Sequence, residues 1–322
     1  MNTELRPMRL GEILDRTAQL YRSNFLLFVG INIFPTSVLL ALGLGTVVVG
    51  RFMNKGFGSL TAAKIIAVLG VAFVGALVYV VLVGLSLAAN NRAVSDLYLD
   101  QPASIGRAYS QVRPHWFRYI WVMFVAALYA WAPVFLIYLA FIAALAGASR
   151  AFRMDPAAIG VLSIIAVIAI LAAIPFGIWM TLRYALAVPA SIFEDLRAHA
   201  SLKRSVFLTR NGRGRIFVLL LLVAVISVVL SLAVQVPFMI VDAIAARAHH
   251  EPPLLAAIGA QVGSFLVGSL LGPVYGIAIT LFYYDERIRK EGFDIDWMMR
   301  RANLTGLEPP PVPLGPAEPA TE

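Results

Sequence analysis

The chain has 322 residues, of which 60% are hydrophobic and only 14% are charged, and its mean hydropathy is +0.82. About a quarter of the residues of a soluble domain are charged, so this composition excludes an ordinary soluble enzyme, a disordered chain and a secreted disulfide scaffold. The sequence contains no cysteine, which excludes thiolate metal sites and cysteine nucleophiles. The net charge is nevertheless +8. The positions of the charged residues along the chain therefore indicate which segments can lie in a membrane and which cannot.

Six stretches of the sequence contain no Asp, Glu, Lys or Arg, and each exceeds the roughly 20 apolar residues that cross a bilayer as a helix. In hydrocarbon the backbone must satisfy its own hydrogen bonds, so a span is a helix or a closed barrel. These stretches are too long for barrel strands. The sequence therefore predicts an all-α polytopic membrane protein with six transmembrane helices. The predicted spans are residues 24–50, 65–90, 119–147, 157–182, 216–241 and 254–284.

An amphipathic segment precedes the first, third and fifth spans. Apolar residues recur with helical spacing in residues 10–21, in residues 105–116 and, more weakly, in residues 202–206. Such a helix can lie in the membrane interface with its arginines toward lipid phosphates. It can equally pack on the end of the helix bundle, and the sequence leaves both arrangements open.

The three amphipathic segments also resemble one another. Residues 103–118 align without gaps on residues 200–215, and every segment carries an Arg-x5-Arg pair shortly before a span. We therefore predict three repeated units, each an amphipathic helix followed by a transmembrane hairpin, with chance similarity as the alternative. We expect the paired arginines to face anionic lipid headgroups or a partner protein. They are Arg16, Arg22, Arg107, Arg113, Arg204 and Arg210.

Basic residues are concentrated in alternate segments between the spans. One set of alternate segments contains 20 Lys and Arg residues, and the other set contains 6. The first set consists of the two terminal segments and residues 92–118 and 183–215. Basic residues favour the cytoplasmic side, so both termini are predicted to be cytoplasmic, facing the anionic inner leaflet. Residues 1–298 then form the membrane domain, and residues 299–322 are predicted to be a proline-rich, disordered cytoplasmic tail.

Three motifs resemble a known family, the bacterial multi-pass membrane domain that is named for glycerophosphoryl diester phosphodiesterase. They are residues 5–16 with 20–22, residues 201–205 with 208–210, and residues 283–292. The resemblance extends over residues 5–297 and implies a six-helix domain of unestablished function in the bacterial cytoplasmic membrane. It does not imply phosphodiesterase activity, because the catalytic barrel is a separate domain for which this chain has no room.

Ionisable residues inside membrane helices are the first candidates for transport or catalysis, and the six predicted spans contain none. Asn32 and Gln235 are polar, but such residues more often form interhelical hydrogen bonds than bind substrates. Residues 249–251, His-His-Glu, do not converge as metal ligands do, and Glu194 with Asp195 has no evident partner. The basic residues 211–215 lie at a membrane boundary, where anionic lipid is a better partner than nucleic acid. We expect no catalytic site, metal or cofactor.

Proline occurs within five of the six predicted spans. Broken helices mark binding sites in transporters, although proline is also simply commoner in transmembrane helices. The sequence favours a non-enzymatic protein of accessory or organising role, with a partner protein as an open possibility. The alternative is a transporter of lipid or a small solute, with a pathway at the kinks near Pro175 and Pro273, and Asn32 and Gln235 as its polar side chains.

The sixth span carries small residues at four-residue steps. They are Ser264, Gly268, Gly272 and Gly276. This spacing predicts close helix packing, either within the chain or between two copies, and the sequence does not decide the oligomeric state.

Overall fold

The computed structural model describes residues 6–54, 62–99, 101–151, 156–248 and 253–301. Within these ranges the chain forms eleven α-helices, with a short 3-10 turn, Arg113–His115, between the fourth and the fifth. The helices are α1 (Leu10–Ser23), α2 (Phe25–Asn54), α3 (Ala62–Tyr98), α4 (Ile105–Val112), α5 (Trp116–Ala151), α6 (Pro156–Tyr184), α7 (Ala187–Phe193), α8 (Ala198–Thr209), α9 (Arg213–Arg247), α10 (Leu254–Glu291) and α11 (Phe293–Arg301). Six are long and apolar enough to cross a membrane, which confirms the predicted multi-pass helical protein.

The long helices extend beyond the predicted spans at one end of the bundle. α10 has 38 residues, which at 1.5 Å per residue is about 57 Å, nearly twice the roughly 30 Å of hydrocarbon in a bilayer. α3 likewise continues from the predicted boundary at residue 90 to Tyr98. The polar residues at these helix ends pack against other helices instead of forming loops, so the hydropathy boundaries fall short of the helix ends.

The short helices α1, α4, α7, α8 and α11 gather around these extensions. Together with the extended helix ends they form a region that we name the cap. Many large side chains are completely buried here, among them Ile13, Tyr119, Leu186, Leu208 and Phe282. The described chain also begins and ends in the cap, because Met8 contacts Asp285 near the end of α10 and α11 packs on the same helix.

The halves of the long helices away from the cap are packed much more openly. In α10, 56% of the most apolar 18-residue stretch is buried within the protein, whereas in α3 only 6% is. α10 is the central helix and packs on α1, α2, α3 and α9, while α5 packs chiefly on α6. The peripheral helices therefore present apolar faces of the kind that a bilayer covers.

A short helix precedes each of the three hairpins: α1 before α2 and α3, α4 before α5 and α6, and α8 before α9 and α10. This order is compatible with three repeated units, and their common origin stays a prediction. Two helices were not anticipated from the sequence. α7 lies in a predicted connecting segment, and α11 extends past the predicted domain boundary at residue 298; residues 302–322 of the predicted tail lie outside the described residues.

The stripe of small residues on α10 makes contacts within the chain. A Cβ atom added to Gly272 would lie 2.7 Å from the Oδ1 atom of Asn32 on α2, and one added to Gly268 would lie 3.1 Å from Thr36. Gly276 faces α3 in the same way. The four-residue spacing thus brings α10 close to α2 and α3, as small residues do between membrane helices.

Candidate functional site

The structure places the six arginines of the repeated pairs at the cap, in different surroundings. Arg22, Arg113 and Arg210 have exposed side chains. Arg22 lines a groove beside α1, and Arg113 lines another between α3 and α4. These three side chains are accessible to a lipid headgroup.

Two other arginines of the set form contacts within the chain while they remain partly accessible. The half-buried Arg16 donates a 2.8 Å hydrogen bond to Gln19 on the same helix. The Nε atom of the exposed Arg107 lies 3.6 Å from Oδ2 of Asp96, a buried carboxylate on α3. Arg107 therefore links α4 to α3.

Arg204 lies inside an ion-pair network. Its Nε atom is 2.7 Å from Oε2 of Glu194, and its guanidinium also pairs with Glu291 at the end of α10. Partial desolvation acts to lower the pKa of Arg204, but hydrogen bonds to Glu291 and Glu194 outweigh it and raise this pKa above its usual value. Arg204 thus holds α8 against α10, which differs from the expected headgroup contact because its carboxylate partners are distant in the sequence.

Glu194 and Asp195, which lack an evident partner in the sequence, both have partners in the fold. Oε1 of Glu194 accepts a 2.6 Å hydrogen bond from the hydroxyl of Tyr283, and Arg287 lies 3.9 Å away. Asp195 pairs with Arg118 on α5 at 2.5 Å, and this hydrogen bond lowers the pKa of Asp195. The two carboxylates therefore tie the α7 region to α5, α8 and α10.

A second cluster holds the beginning of the described chain. Asp285 is fully buried; its Oδ1 accepts a 2.6 Å hydrogen bond from the backbone N–H of Met8, and its Oδ2 accepts bonds of 2.7 Å from Arg215 and 2.9 Å from Arg289. Both arginines also donate to the carbonyl of Met8. Glu286 pairs with Arg215 at 3.2 Å. A buried carboxylate needs such compensation, because desolvation of an unpaired charge is costly.

Both clusters include residues of the final two turns of α10, and sequence reasoning missed them as sites. One signal was available, since oppositely charged residues recur at four-residue spacing. They are Asp285 with Arg289, Glu286 with Lys290, and Arg287 with Glu291. This spacing is typical of a helix. It could have indicated that the helix of the sixth span continues beyond residue 284 to Glu291. It could not have revealed the partners on other helices.

A basic pocket lies between α5, α6 and α8. Its volume is about 260 Å³. The residues that line it include three basic side chains, two tyrosines and no carboxylate. They are Tyr129, Arg183, Tyr184, His199, Leu202, Lys203 and Val206.

Hydrogen bonds between α8 and the end of α6 fix the walls of this pocket. Ser205 donates from Oγ to the carbonyl of Arg183 at 2.9 Å and accepts from the backbone N–H of Leu186 at 3.1 Å. Thr209 donates to the same carbonyl at 3.3 Å. The last carbonyls of a helix lack partners within the helix, so these hydroxyls both satisfy the end of α6 and hold α8 in place.

Two arginines share one aromatic ring beside the pocket. The guanidinium carbons of Arg183 and Arg213 lie 5.7 and 5.3 Å from the ring centre of Trp179, within the range of cation–π attraction. Within the described part of the chain neither arginine forms an ion pair, and the Nε atom of each is buried without a hydrogen-bond partner. The two guanidinium groups thus carry like charges near one ring.

A family model for a domain of unknown function, DUF7847, matches residues 8–285. The chain belongs to the DUF7847 family. The matched range begins and ends at Met8 and Asp285, which are hydrogen-bonded to each other in the cap. No curated protein and no solved structure matches the chain. Nothing in these comparisons links it to the membrane domain named for glycerophosphoryl diester phosphodiesterase, and that resemblance stays a prediction.

The polar residues within the spans of this DUF7847 protein form hydrogen bonds between helices. Oδ1 of Asn32 on α2 accepts a 3.0 Å bond from Ser86 on α3. Nε2 of Gln235 on α9 donates to the carbonyl of Ala260 on α10 at 3.2 Å and also to the hydroxyl of Ser264. Asn32 and Gln235 thus form the interhelical hydrogen bonds that the sequence analysis favoured over substrate binding.

Two tyrosines of the amphipathic helices bond to backbone carbonyls near proline kinks. Proline lacks the N–H that would reach the carbonyl four residues earlier, so Pro35 leaves the carbonyl of Ile31 free, and the hydroxyl of Tyr109 donates to it at 2.7 Å. The hydroxyl of Tyr21 donates to Leu270, close to Pro273, at 2.8 Å. Both hydroxyls anchor an amphipathic helix to a spanning helix.

The two prolines of the predicted pathway lie in different surroundings. Pro175 is exposed on α6, and Pro273 is buried in α10. Residues 249–251, the His-His-Glu sequence, lie outside the described residues. Among the described residues, no group of three or more His, Asp or Glu side chains is arranged to hold a metal ion.

Proposed function

We propose that this protein is a non-enzymatic, accessory or organising protein of the bacterial cytoplasmic membrane whose cap contacts anionic lipid of the inner leaflet. The excess of basic residues in the segments that form the cap supports a cytoplasmic location for it. Each basic residue near an anionic surface then contributes roughly 1 kcal/mol of attraction. The three predicted repeats would supply the amphipathic helices of this face.

One observation carries the proposal: among the described residues, the buried carboxylates of the cap all pair with basic side chains, whereas several exposed basic side chains on its surface have no ion-pair partner. Asp96, Asp285 and Glu286 each pair with an arginine. Arg22 and Arg113 are exposed and line grooves beside amphipathic helices. These unpaired arginines are exposed at the surface of the cap, next to the apolar helix surface that lipid would cover.

The test uses the full chain reconstituted in a mixture of phosphatidylglycerol and phosphatidylcholine. The triple variant Arg22→Gln, Arg113→Gln and Arg210→Gln should lose most of the enrichment of phosphatidylglycerol among the lipids that co-purify with the protein. A control removes three basic residues from the opposite end: Arg51→Gln, Arg150→Gln and Arg247→Gln. Equal enrichment in the wild type and both triple variants would contradict the proposal.

The alternative, a lipid or small-solute transporter, draws on the kinked helices. Pro273 lies in the densely packed helix α10, while Pro175 lies on an exposed face of α6, so the two kinks do not contribute to one common lining. Saturable transport in vesicles that is abolished by Pro175→Ala or Pro273→Ala would favour this alternative over the accessory role.

A further inference from the structure

We propose that the basic pocket between α5, α6 and α8 binds one phosphate group of an anionic phospholipid. Arg183 and Lys203 would contact the phosphate from inside the pocket, with Arg213 beside it. This inference rests on the proposed contact with anionic lipid and deepens it, since it assigns one defined site in place of a diffuse attraction.

The first argument is charge. Arg204, Arg215 and Arg287 in the neighbouring clusters all face carboxylates at 3.9 Å or less. In contrast, Arg183 and Arg213 share the ring of Trp179 without a carboxylate partner among the described residues. Two cations beside one ring, with no carboxylate partner in the described chain, leave a local excess of positive charge. A bound anion would neutralise this excess.

The second argument is the unused hydrogen-bonding capacity. The Nε atoms of Arg183 and Arg213 are buried without a partner, so a phosphate would be contacted by the terminal N–H groups of the guanidinium, which form a planar fork that fits phosphate oxygens. Lys203 adds an exposed ammonium group from α8. The walls are already held by the hydrogen bonds of Ser205 and Thr209 to α6, so little ordering is needed when the anion binds.

The third argument favours a lipid over free phosphate as the source. The ring of Trp131 on α5 packs against Gly177 on α6, and Trp131 and Trp179 are both partly exposed. Tryptophan is enriched where a membrane meets water, so these two residues place the pocket at headgroup level. Beyond them, α6 presents exposed apolar side chains such as Phe176 and Ile178, against which acyl chains can lie.

The size of the pocket agrees with a headgroup. Sites for drug-sized ligands usually occupy about 300–1,000 Å³, and this one has about 260 Å³. It therefore suits a phosphate with the nearby part of its headgroup, while the acyl chains remain outside. Leu202 and Val206 provide apolar walls on α8.

The experiment titrates phosphatidylglycerol, phosphatidylcholine and inorganic phosphate separately into the purified, delipidated full chain and counts bound molecules by native mass spectrometry. We expect one molecule of phosphatidylglycerol to bind at least tenfold more tightly than phosphatidylcholine. The double variant Arg183→Gln with Arg213→Gln should lose this preference, because it removes one charge that lines the pocket and one beside it. Lys203→Gln on the surface of α8 should weaken binding about threefold.

Arg247→Gln is the control, because Arg247 is exposed at the end of α9 away from the cap and does not line the pocket. Helix content and melting temperature of every variant verify folding, and Lys203→Gln keeps the test decisive if the double variant does not fold. Tight binding that is unchanged in both pocket variants would overturn the inference. Saturation by inorganic phosphate alone would overturn the lipid as its source.

The proposed function and this inference fail in different ways. If phosphatidylglycerol is enriched around the protein but no single tight molecule binds, the pocket assignment is wrong and the diffuse contact stands. If one molecule binds tightly in the pocket and the triple surface variant retains its enrichment, the assignment stands and the diffuse contact is wrong.

Discussion

The cap consists of the short helices and the extended ends of the six long helices, and it is held together by other interactions than the outer halves of those long helices, which lie away from the cap. In the cap, Arg215 reaches the buried Asp285 at 2.7 Å, and Glu194 accepts a bond from Tyr283 at 2.6 Å. In the outer half of the bundle, Gln235 reaches a backbone carbonyl at 3.2 Å, and the exposed surface is largely apolar. The cap is a charged core, and the outer halves are a loosely packed apolar bundle.

The difference follows from the surrounding solvent. A helix end near water can contain charged residues. These residues can be buried when oppositely charged side chains of other helices pair with them. In a bilayer the lipid tails are as apolar as leucine, so there is little hydrophobic reason for helices to close on one another, and association depends on close packing and hydrogen bonds. We therefore expect the cap to contribute most of the resistance to unfolding, and four predictions test this expectation.

The largest effect is expected in the cap. Arg215→Ala leaves the buried Asp285 with one fewer cation, and removing one partner of a buried pair costs about 3–5 kcal/mol. We expect about 3 kcal/mol, because Arg289 still reaches Asp285 and Lys290 still reaches Glu286. Unfolding in detergent measures it. Arg210→Ala is the control and should change the free energy of unfolding by less than about 0.5 kcal/mol.

The second prediction concerns the contact of α10 with α2, where cap and spans meet. Gly272→Leu forces atoms against Asn32, and overpacking of this kind costs about 2 kcal/mol. Gly45→Leu on α2 is the matched control, since a Cβ atom there meets nothing within 4 Å. Unfolding curves of both variants measure the difference. Equal stability of the two variants would refute the close contact between the helices.

The third prediction concerns the bond between α4 and the kink in α2. Tyr109→Phe leaves the carbonyl of Ile31 without its donor and should cost about 1 kcal/mol. In a Pro35→Ala background the residue at position 35 regains an N–H that can reach Ile31. The cost of Tyr109→Phe should then fall well below its value in the wild type. A double-mutant cycle measures this coupling, and a coupling energy of zero would disprove the role assigned to the hydroxyl.

The smallest effect is expected in the outer half. Gln235→Leu removes the polar contact between α9 and α10, and hydrogen bonds between membrane helices average about 0.6 kcal/mol. The exposed neighbour Val236 provides the control substitution, Val236→Leu. Unfolding in a bilayer-like detergent measures both variants. A loss above about 2 kcal/mol for Gln235→Leu would show that the outer half stabilises the fold as strongly as the cap.

Much of the fold could be predicted because the relevant properties are local. The six spans follow from stretches without charge, and the short helices α1 and α4 follow from apolar periodicity in residues 10–21 and 105–116. α7 was missed because its seven residues show no such period over a useful length. α11 was missed because Gly292 ends α10 in a left-handed conformation, which indicates a helix stop, although Asp294 and Asp296 in the first turn of α11 are a signal for a new helix.

The surface exposure of some predicted site residues agrees with the sequence, while their contact with lipid stays a prediction. Arg22, Arg113 and Arg210 are exposed as a surface role requires. Arg204 carries the same motif but pairs with Glu194 and Glu291. An identical local pattern thus has two outcomes, because the motif contains no information about which carboxylates the rest of the chain brings near.

The sequence by itself determined that this protein has six helices long and apolar enough to cross a membrane, because bilayer thickness and the cost of burying charge act on each segment separately. The tertiary structure decided which charges are neutralised inside the protein and which are left over. Met8 and Asp285 lie at opposite ends of the membrane domain and meet at 2.6 Å. The guanidinium groups of Arg183 and Arg213 lie 5.7 and 5.3 Å from the centre of the Trp179 ring, without a carboxylate partner in the described chain. Such pairings depend on distances in space, which only the packing of all the helices sets.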